Sequence, residues 1–340
     1  MATVSLAFTG DMMLGRLVNA ALVAAPPEYV WGNTLPTLHS ANLLFANLEC
    51  ALTAHTIPWR DGERKVFYFR ADPGAVAALR VAGVDFVSLA NNHAYDFGAE
   101  GLLETIAVLD RAGIAHAGAG PDLASARAPA RLQANGIRVA LVAFADHPRA
   151  WAAGTSRPGI QYTPVSLEEQ AFANVRDALA TARADADLVV FCIHWGPNMR
   201  SRPTPQFREF GHAVIDAGAD IFWGHSAHVV QGVEVYKGHL ILYDSGDFVD
   251  DYAVDVALRN DRSAIHLVHA STRGVERVEL VPVEIRDSQV NLAREEARAW
   301  FTQRFTELSA EFGTMVKRED DRLVIEIDAR QRETAECCGR

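Results

Sequence analysis

The sequence lacks any long apolar run and any cluster of basic residues. No stretch approaches the roughly 20 apolar residues that a membrane-spanning helix needs, and no run of five or more Lys and Arg occurs. A net charge of −11 argues against a broad basic surface that would hold nucleic acid or anionic membrane. We therefore expect no membrane segment and no nucleic-acid partner.

Two further absences bear on the cellular compartment. Four cysteines in 340 residues are too few for a disulfide framework. Cys50 and Cys192 lie within or beside apolar runs and are predicted to be buried thiols, whereas Cys337 and Cys338 are adjacent near the C-terminus. The first residues lack the positively charged start and the separate apolar region of a signal peptide. We expect a cytoplasmic protein.

Strand-like and helix-like segments alternate through most of the chain. A hydrophobic fraction of 49% supplies ample side chains for a core. Helical spacing, with a glycine after three of the four segments, predicts helices at 73–82, 99–112, 166–184 and 205–217. Strands are predicted at 4–8, 43–46, 84–89, 137–144, 188–193, 221–223 and 239–243. This alternation predicts an α/β fold, a sheet with helices on its faces.

The pattern changes after Asp261. Residues 265–269, 275–283 and 288–292 are typical of successive antiparallel strands, followed by a helix at 295–309 and a last strand at 322–327. We predict one domain over 1–330, which these strands complete, and a flexible tail over 331–340. The irregular loops at 26–36 and 55–65 are interpreted either as substrate contacts or as plain surface.

Five apolar runs stop at side chains that bind metals or carry protons. The blocks are Thr9-Gly10-Asp11, Asn47-Leu48-Glu49, Asn91-Asn92-His93, His194-Trp195-Gly196 and Gly224-His225-Ser226-Ala227-His228. In open α/β sheets the loops at the C-terminal ends of the strands form the ligand crevice. We therefore expect these five distant segments to meet in one pocket. Asp146 and His147 also follow a strand, and they either line that pocket or form an ordinary turn.

We interpret the set as two metal ions that share one carboxylate. Such ions, roughly 3.5–4 Å apart, clamp the attacking and leaving oxygens of a hydrolysis and activate water. The predicted ligands are Asp11, Glu49, Asn92, His194, His225 and His228. Glu49 is the predicted bridge, with Asp11 and His228 on one ion and the other three on the second. Carboxylate, amide and imidazole donors favour one or two divalent ions of Mn, Fe or Zn.

The order of these blocks resembles the CapA family of polyglutamate capsule-synthesis proteins, whose fold is similar to calcineurin-like metallophosphoesterases. The likeness covers most of the chain and is carried by Gly10-Asp11-Met12-Met13-Leu14, Asn47-Leu48-Glu49, Asn91-Asn92-His93 with Asp96 and Gly98, His194-Trp195-Gly196, and Gly224-His225 to His228 with Gln231. The resemblance implies a metallophosphoesterase-like sandwich of mixed β-sheets flanked by helices, with C-terminal antiparallel strands completing it. It also implies polyglutamate or capsule metabolism.

The sequence departs from the patterns of these families at three positions. Metallophosphoesterases open with Asp-x-His, whereas Met13 occupies the histidine position here, and Glu49 replaces the bridging aspartate. Asp247 stands where the CapA resemblance leads us to expect asparagine. Because one ion loses a ligand at Met13, we expect one tight and one labile ion.

The resemblance also implies roles for the remaining polar residues. His93 is the predicted acid that gives a proton to the leaving group while activated water attacks. Asp96 is predicted to orient the His93 ring. Arg16, Lys65 and Asp247 are weaker candidates for contacts with the substrate.

Two hypotheses of different classes follow. The first is a metal-dependent hydrolase that acts on a phosphoester or a γ-glutamyl-type amide, in a small molecule or an anionic polymer. The alternative is a non-catalytic accessory protein whose metal pocket holds an anionic polymer or a partner, and Met13 is its best support. Retention of Asn92, His93 and Asp96 favours catalysis. The oligomeric state stays open.

Overall fold

Two β-sheets that face each other form the centre of the structure. The computed structural model describes residues 2–60 and 65–328. The predicted tail at 331–340, with Cys337 and Cys338, lies outside the described residues, as do positions 61–64 of the predicted loop 55–65. The single domain over 1–330 stays a prediction. Cys50 and Cys192 are buried and free, as expected.

The strands of the described residues are between 2 and 13 residues long. In chain order they are β1 (Thr3–Met12), β2 (Leu43–Leu48), β3 (Ala51–Leu52), β4 (Arg70–Ala71), β5 (Phe86–Ser88), β6 (Ala115–Ala117), β7 (Ala119–Gly120), β8 (Ala130–Ala134), β9 (Ile137–Ala145), β10 (Gly159–Ile160), β11 (Leu188–His194), β12 (Ile221–His225), β13 (Val233–Tyr236), β14 (His239–Leu242), β15 (Asp247–Val249), β16 (Arg262–Ser271), β17 (Gly274–Arg286), β18 (Gln289–Leu292), β19 (Lys317–Glu319) and β20 (Arg322–Glu326).

Helices connect many of these strands. They are α1 (Arg16–Ala24), α2 (Leu35–Leu38), α3 (Val76–Ala82), α4 (Gly98–Ala112), α5 (Leu123–Arg127), α6 (Glu169–Arg183), α7 (Pro205–Asp216) and α8 (Glu295–Ala310). Single 3-10 turns lie at Tyr29–Trp31, Pro73–Ala75 and Arg149–Trp151. The predicted loop 26–36 therefore contains a 3-10 turn and the start of α2.

Both large sheets mix parallel and antiparallel pairs. Among the described residues, the first sheet has the order β19-β20-β17-β16-β1-β2-β5-β6, with β15 beside β1 and β18 beside β17. The second has the order β13-β14-β12-β11-β9-β8. Strands β1, β2, β5 and β6 run parallel, as do β9, β11, β12 and β14, whereas the C-terminal strands β16, β17 and β20 pair antiparallel. The predicted α/β class with mixed sheets and antiparallel C-terminal strands is confirmed.

The core lies between the sheets and beneath the helices. Every residue of β11 is buried, which explains its continuous apolar sequence. Phe8 of the first sheet meets Trp223 of the second edge to face, with ring centroids 5.3 Å apart. On the outer face of the second sheet, Phe172 of α6 and Phe210 of α7 pack with Phe191 of β11. Helix, sheet and sheet thus form successive layers.

Element boundaries follow local chemistry where that chemistry is strong. Helices α3 and α4 end at Gly83 and Gly113, which adopt φ of +76° and +73°, a left-handed conformation that suits glycine. Helix α6 begins at Glu169, three residues after the predicted start. Helix α1 was not predicted from the sequence. It begins after Gly15, and no side-chain hydrogen bond from the described residues caps its start.

We expect the contact between the sheets to dominate stability. Phe8→Ala should lower the free energy of unfolding by about 3–5 kcal/mol, because it opens a cavity at a fully buried site. Urea denaturation followed by circular dichroism measures this. The control Val23→Ala, at a side chain that is 73% exposed, should change the free energy by no more than about 0.5 kcal/mol. Equal stabilities of the two variants would contradict the assignment of the core.

Candidate metal centre

Strand ends from both sheets converge on one edge of the sandwich. Asp11, near the end of β1, lies in register with Asn47 of β2 on one side and Asp247 of β15 on the other. His194 and His225 are the last residues of β11 and β12, and they face each other in register. The order of strands in the sheets, rather than spacing along the chain, therefore assembles the site.

Five of the six predicted ligands form two groups of buried side chains. The groups are Asp11, His194 and His225, and Asp11, Glu49 and His228, and the candidate ligand atoms within each group lie within 4.8 Å of one another. Asp11 is the member that both groups share. Glu49 also reaches the first group, because its Oε1 lies 3.8 Å from Nε2 of His194. The bridging role of Glu49 stays a prediction, and the geometry offers Asp11 as a second shared carboxylate.

The donor atoms of the site are buried without hydrogen-bond partners. Within residues 2–60 and 65–328, no such partner exists for Asp11 Oδ2, Glu49 Oε1 and Oε2, Asn92 Oδ1, His194 Nε2, His225 Nε2 and Asp247 Oδ2. Each buried polar atom left unpaired costs about 1–3 kcal/mol, so a cluster of them needs a reason. Oxygen and imidazole donors gathered in this way fit a divalent cation.

The charges around the site also fit a cation. Burial lowers the pKa of His194 well below its usual value and that of His225 to about 4, so both rings are in the neutral form that binds metal. Burial, and then Asp11, raises the pKa of Glu49 well above its usual value. Burial opposes protonation of His228, but Asp247 and Glu49 outweigh it and raise its pKa. The site is short of positive charge.

Polar residues behind the ligands hold them in place. Nδ2 of Asn47 donates to Asp11 Oδ1 at 2.7 Å, and Nδ2 of Asn91 donates to Asn47 Oδ1 at 3.0 Å. Asp247 Oδ1 lies 2.8 Å from Nδ1 of His228, the same ring nitrogen that lies 3.4 Å from Asp11 Oδ2, so the structure places this predicted substrate contact among the donors of the site. The sequence analysis gave no role to Asn47 or Asn91, although both belong to the ligand blocks.

His93 stands beside the donor groups with its ring fixed. Its Nδ1 lies 2.6 Å from Asp96 Oδ2, and its Nε2 lies 3.9 Å from Glu49 Oε1. The Phe69 ring stacks on His93 with centroids 3.9 Å apart, and the Phe69 amide donates to Asp96 Oδ2 at 2.6 Å. Lys65 donates to Asp96 Oδ1 and to the Asn92 carbonyl. The Lys65 ammonium is thus engaged by Asp96. A contact of Lys65 with the substrate stays a prediction.

A cleft of 320 Å³ opens onto the site. His93 and His228 lie in its wall together with Arg16, Phe67 and Tyr252. Arg16 Nε lies 3.3 Å from Asp251 Oδ2, and its guanidinium is 5.8 Å from the centroid of Phe67. Of the three weaker substrate candidates, Arg16 therefore lines the cleft.

Three other residues singled out in the sequence also lie near the centre. Met13 is fully buried, and its Sδ accepts a hydrogen bond from the Gly15 amide at 3.1 Å. The ring of His147 lies 5.4 Å from that of His194, and Asp146 Oδ2 accepts from the Gly196 amide at 2.9 Å. Asp146 thus fixes the turn that follows His194.

Residues 5–252 match the family described as "Bacterial capsule synthesis protein PGA_cap". The chain belongs to this family. The match spans β1 to Tyr252 and includes every ligand block described above. The CapA resemblance drawn from those blocks is confirmed.

Other PGA_cap-like proteins match along most of their length. The chain is 30% identical to a "Probable polyglutamine synthesis accessory protein" of Mycobacterium tuberculosis, over 94% of this chain and 87% of that protein. It is 30% identical to "Capsule biosynthesis protein CapA" of Bacillus anthracis, over 95% of this chain and 78% of that protein. The family description and these names refer to capsule synthesis and, for the M. tuberculosis protein, to polyglutamine synthesis.

A solved structure supports the fold of this PGA_cap member. A hypothetical protein from Thermus thermophilus superposes with a TM-score of 0.50 at 18% identity, over 83% of this chain and all of that one. At such identity the likeness concerns the fold alone. In the described part of the chain, no helix combines the length and apolarity needed to cross a bilayer.

Removal of one imidazole should empty the site. We expect His225→Ala to weaken metal binding by more than about 100-fold, because even residues behind the ligands are worth 10–100-fold in affinity. Elemental analysis of protein purified without chelator or metal-binding tag measures the ions per chain. His116→Ala, which loses a contact with Asp110 away from the centre, should retain the wild-type content. Equal metal content in wild type and His225→Ala would contradict the site.

Proposed function

We propose that this PGA_cap protein is a metal-dependent hydrolase of phosphoesters or γ-glutamyl-type amides. The observation that carries the proposal is the set of buried, unpaired oxygen and nitrogen donors next to the oriented His93 and Asp96 pair. A binding protein has no need of a histidine whose ring is fixed at the edge of such a centre. The names of relatives favour a substrate related to polyglutamate or capsule metabolism.

The chain supplies a preorganised set of ligands to one or two divalent ions, with Mn, Fe and Zn suited to these donors. Such a cation supplies Lewis acidity, which polarises a phosphoryl or carbonyl oxygen and makes water more acidic. The protein holds Asp11 in place through Asn47, and the Asp247 carboxyl group lies beside Nδ1 of His228. Ligands fixed in this way need little reorganisation when charge develops in the transition state.

His93 is proposed to move a proton at its Nε2 atom. Because Nδ1 is engaged by Asp96, Nε2 is the ring nitrogen left to face Glu49 and the cleft. Burial lowers the pKa of His93 to about 4, against the opposing effect of Asp96. The ring is then neutral at neutral pH in the metal-free protein, so it accepts a proton before it gives one to a leaving group.

The volume of the cleft limits the size of the substrate that can reach the centre. Its volume of 320 Å³ lies near the lower end of the roughly 300–1,000 Å³ found for small-molecule sites. A small molecule or the end of an anionic polymer fits this space. Arg16 at its wall is the proposed partner of an anionic group of the substrate.

The alternative is a metal-containing accessory protein that binds an anionic polymer or partner without turnover. The packing of Met13 against Gly15 favours it, because the group of Asp11, Glu49 and His228 then has no fourth ligand from that position. The M. tuberculosis relative is named an accessory protein. A catalytic test of His93 separates the two functions.

We expect His93→Ala to lower kcat by about 10²–10⁴-fold, the usual contribution of a positioned proton carrier. Phosphatase activity toward p-nitrophenyl phosphate and bis-p-nitrophenyl phosphate, and amidase activity toward γ-glutamyl p-nitroanilide, would be followed with Mn-loaded protein. Metal content should stay at the wild-type value, since His93 is absent from both ligand groups.

The matched control is His116→Ala, which should keep the wild-type kcat. Turnover by His93→Ala at the wild-type rate would refute the proton-transfer role. A wild-type protein that binds metal but cleaves none of the three substrates would favour the accessory function.

A further inference from the structure

The aromatic ring of Tyr252 contacts both His228 and Phe69 in the wall of the cleft. It meets the His228 ring edge to face at 5.2 Å and lies 5.6 Å from the Phe69 ring, which in turn stacks on His93. Its backbone amide donates to Asp250 Oδ1 at 2.7 Å, which fixes the turn after β15. Tyr252 is therefore held from the ring and from the backbone, and it lines the cleft.

The hydroxyl of Tyr252 is buried and has no hydrogen-bond partner in the part of the chain that the structure describes. A buried hydroxyl without a partner costs about 1–3 kcal/mol. Phenylalanine would make the same ring contacts without that cost. The hydroxyl therefore needs a hydrogen-bond partner that the described residues do not provide.

The surroundings of the hydroxyl indicate what that partner is. A phenol is a neutral O–H donor near pH 7, because its ordinary pKa is about 10. Carboxylates repel an incoming anion, whereas a phenol can donate to one. Arg16, a charged donor at the wall, is paired with Asp251 and its side chain is 40% exposed. Tyr252 is thus the buried donor that an anion in the cleft would meet.

We propose that Tyr252 is a substrate-contacting residue, whose hydroxyl donates a hydrogen bond to an anionic oxygen of the ligand in the cleft. The inference rests on the proposed function, because it takes the cleft beside the metal centre as the substrate site. It assigns the ligand an oxygen anion, phosphoryl or carboxylate, close to His228. The ring keeps His228 and Phe69 in place, and the hydroxyl recognises the ligand.

The test uses inorganic phosphate as a probe of the Mn-loaded protein, so that it does not depend on turnover. Isothermal titration calorimetry gives the affinity for phosphate of wild type and Tyr252→Phe. We expect binding to Tyr252→Phe to be about tenfold weaker, the value of one hydrogen bond, at unchanged metal content. The matched control is Tyr236→Phe on β13, which loses a hydroxyl contact with Asp216 and should bind like wild type.

The phosphate affinities of wild type and Tyr252→Phe decide the proposal. Phosphate affinity of Tyr252→Phe equal to that of wild type would overturn the proposal, and so would a wild type that binds no phosphate. Tyr252→Leu should in addition lose metal, because His228 loses its aromatic neighbour. If wild type binds phosphate but cleaves no substrate, the hydrolase proposal fails, while the difference between wild type and Tyr252→Phe still decides the role of the hydroxyl.

Discussion

The structure depends on keeping several carboxylates and imidazoles buried together at one edge of a β-sandwich. Asp11, Glu49 and Asp247 are nearly or fully buried, and so are His194 and His225. Isolated charges in such a place are expensive unless an opposite charge accompanies them. The lysine at the site, Lys65, is engaged by Asp96 rather than by these groups. A bound cation would resolve this imbalance, and the donors are grouped closely enough to hold one.

Both sheets supply ligands to the candidate metal centre. The first sheet and its loops supply the carboxylates of Asp11 and Glu49, whereas β11, β12 and the turn after β12 supply the imidazoles. Neither sheet alone holds a complete group of ligands. The packing of Phe8 against Trp223 therefore supports the metal centre as well as the core. An ion that binds the folded chain but not the unfolded chain would in turn stabilise the sandwich.

The sequence predicted where strands end better than it predicted which strands lie side by side in a sheet. The apolar runs before His194 and His225 locate β11 and β12 to within two residues, because burial on both faces leaves a continuous signal. The central position of Asp11 could not be read in this way. It arises because β15, far later in the chain, pairs with β1 in register at Asp247. Tyr252 was missed for a similar reason, since its surroundings come from segments far apart in the chain.

The two departures at Met13 and Asp247 have opposite expected effects on a bound ion. Met13 removes a neutral imidazole from the expected ligand set, and its side chain packs against Gly15 instead. Asp247 replaces an expected neutral amide with a carboxyl group that contacts His228 through one oxygen and leaves the other unpaired among the described residues. In a buried site the attraction between a cation and an ionised carboxylate is weakly screened. An ionised carboxylate at 247 would therefore favour a bound ion, whereas the loss of a ligand at 13 would disfavour it.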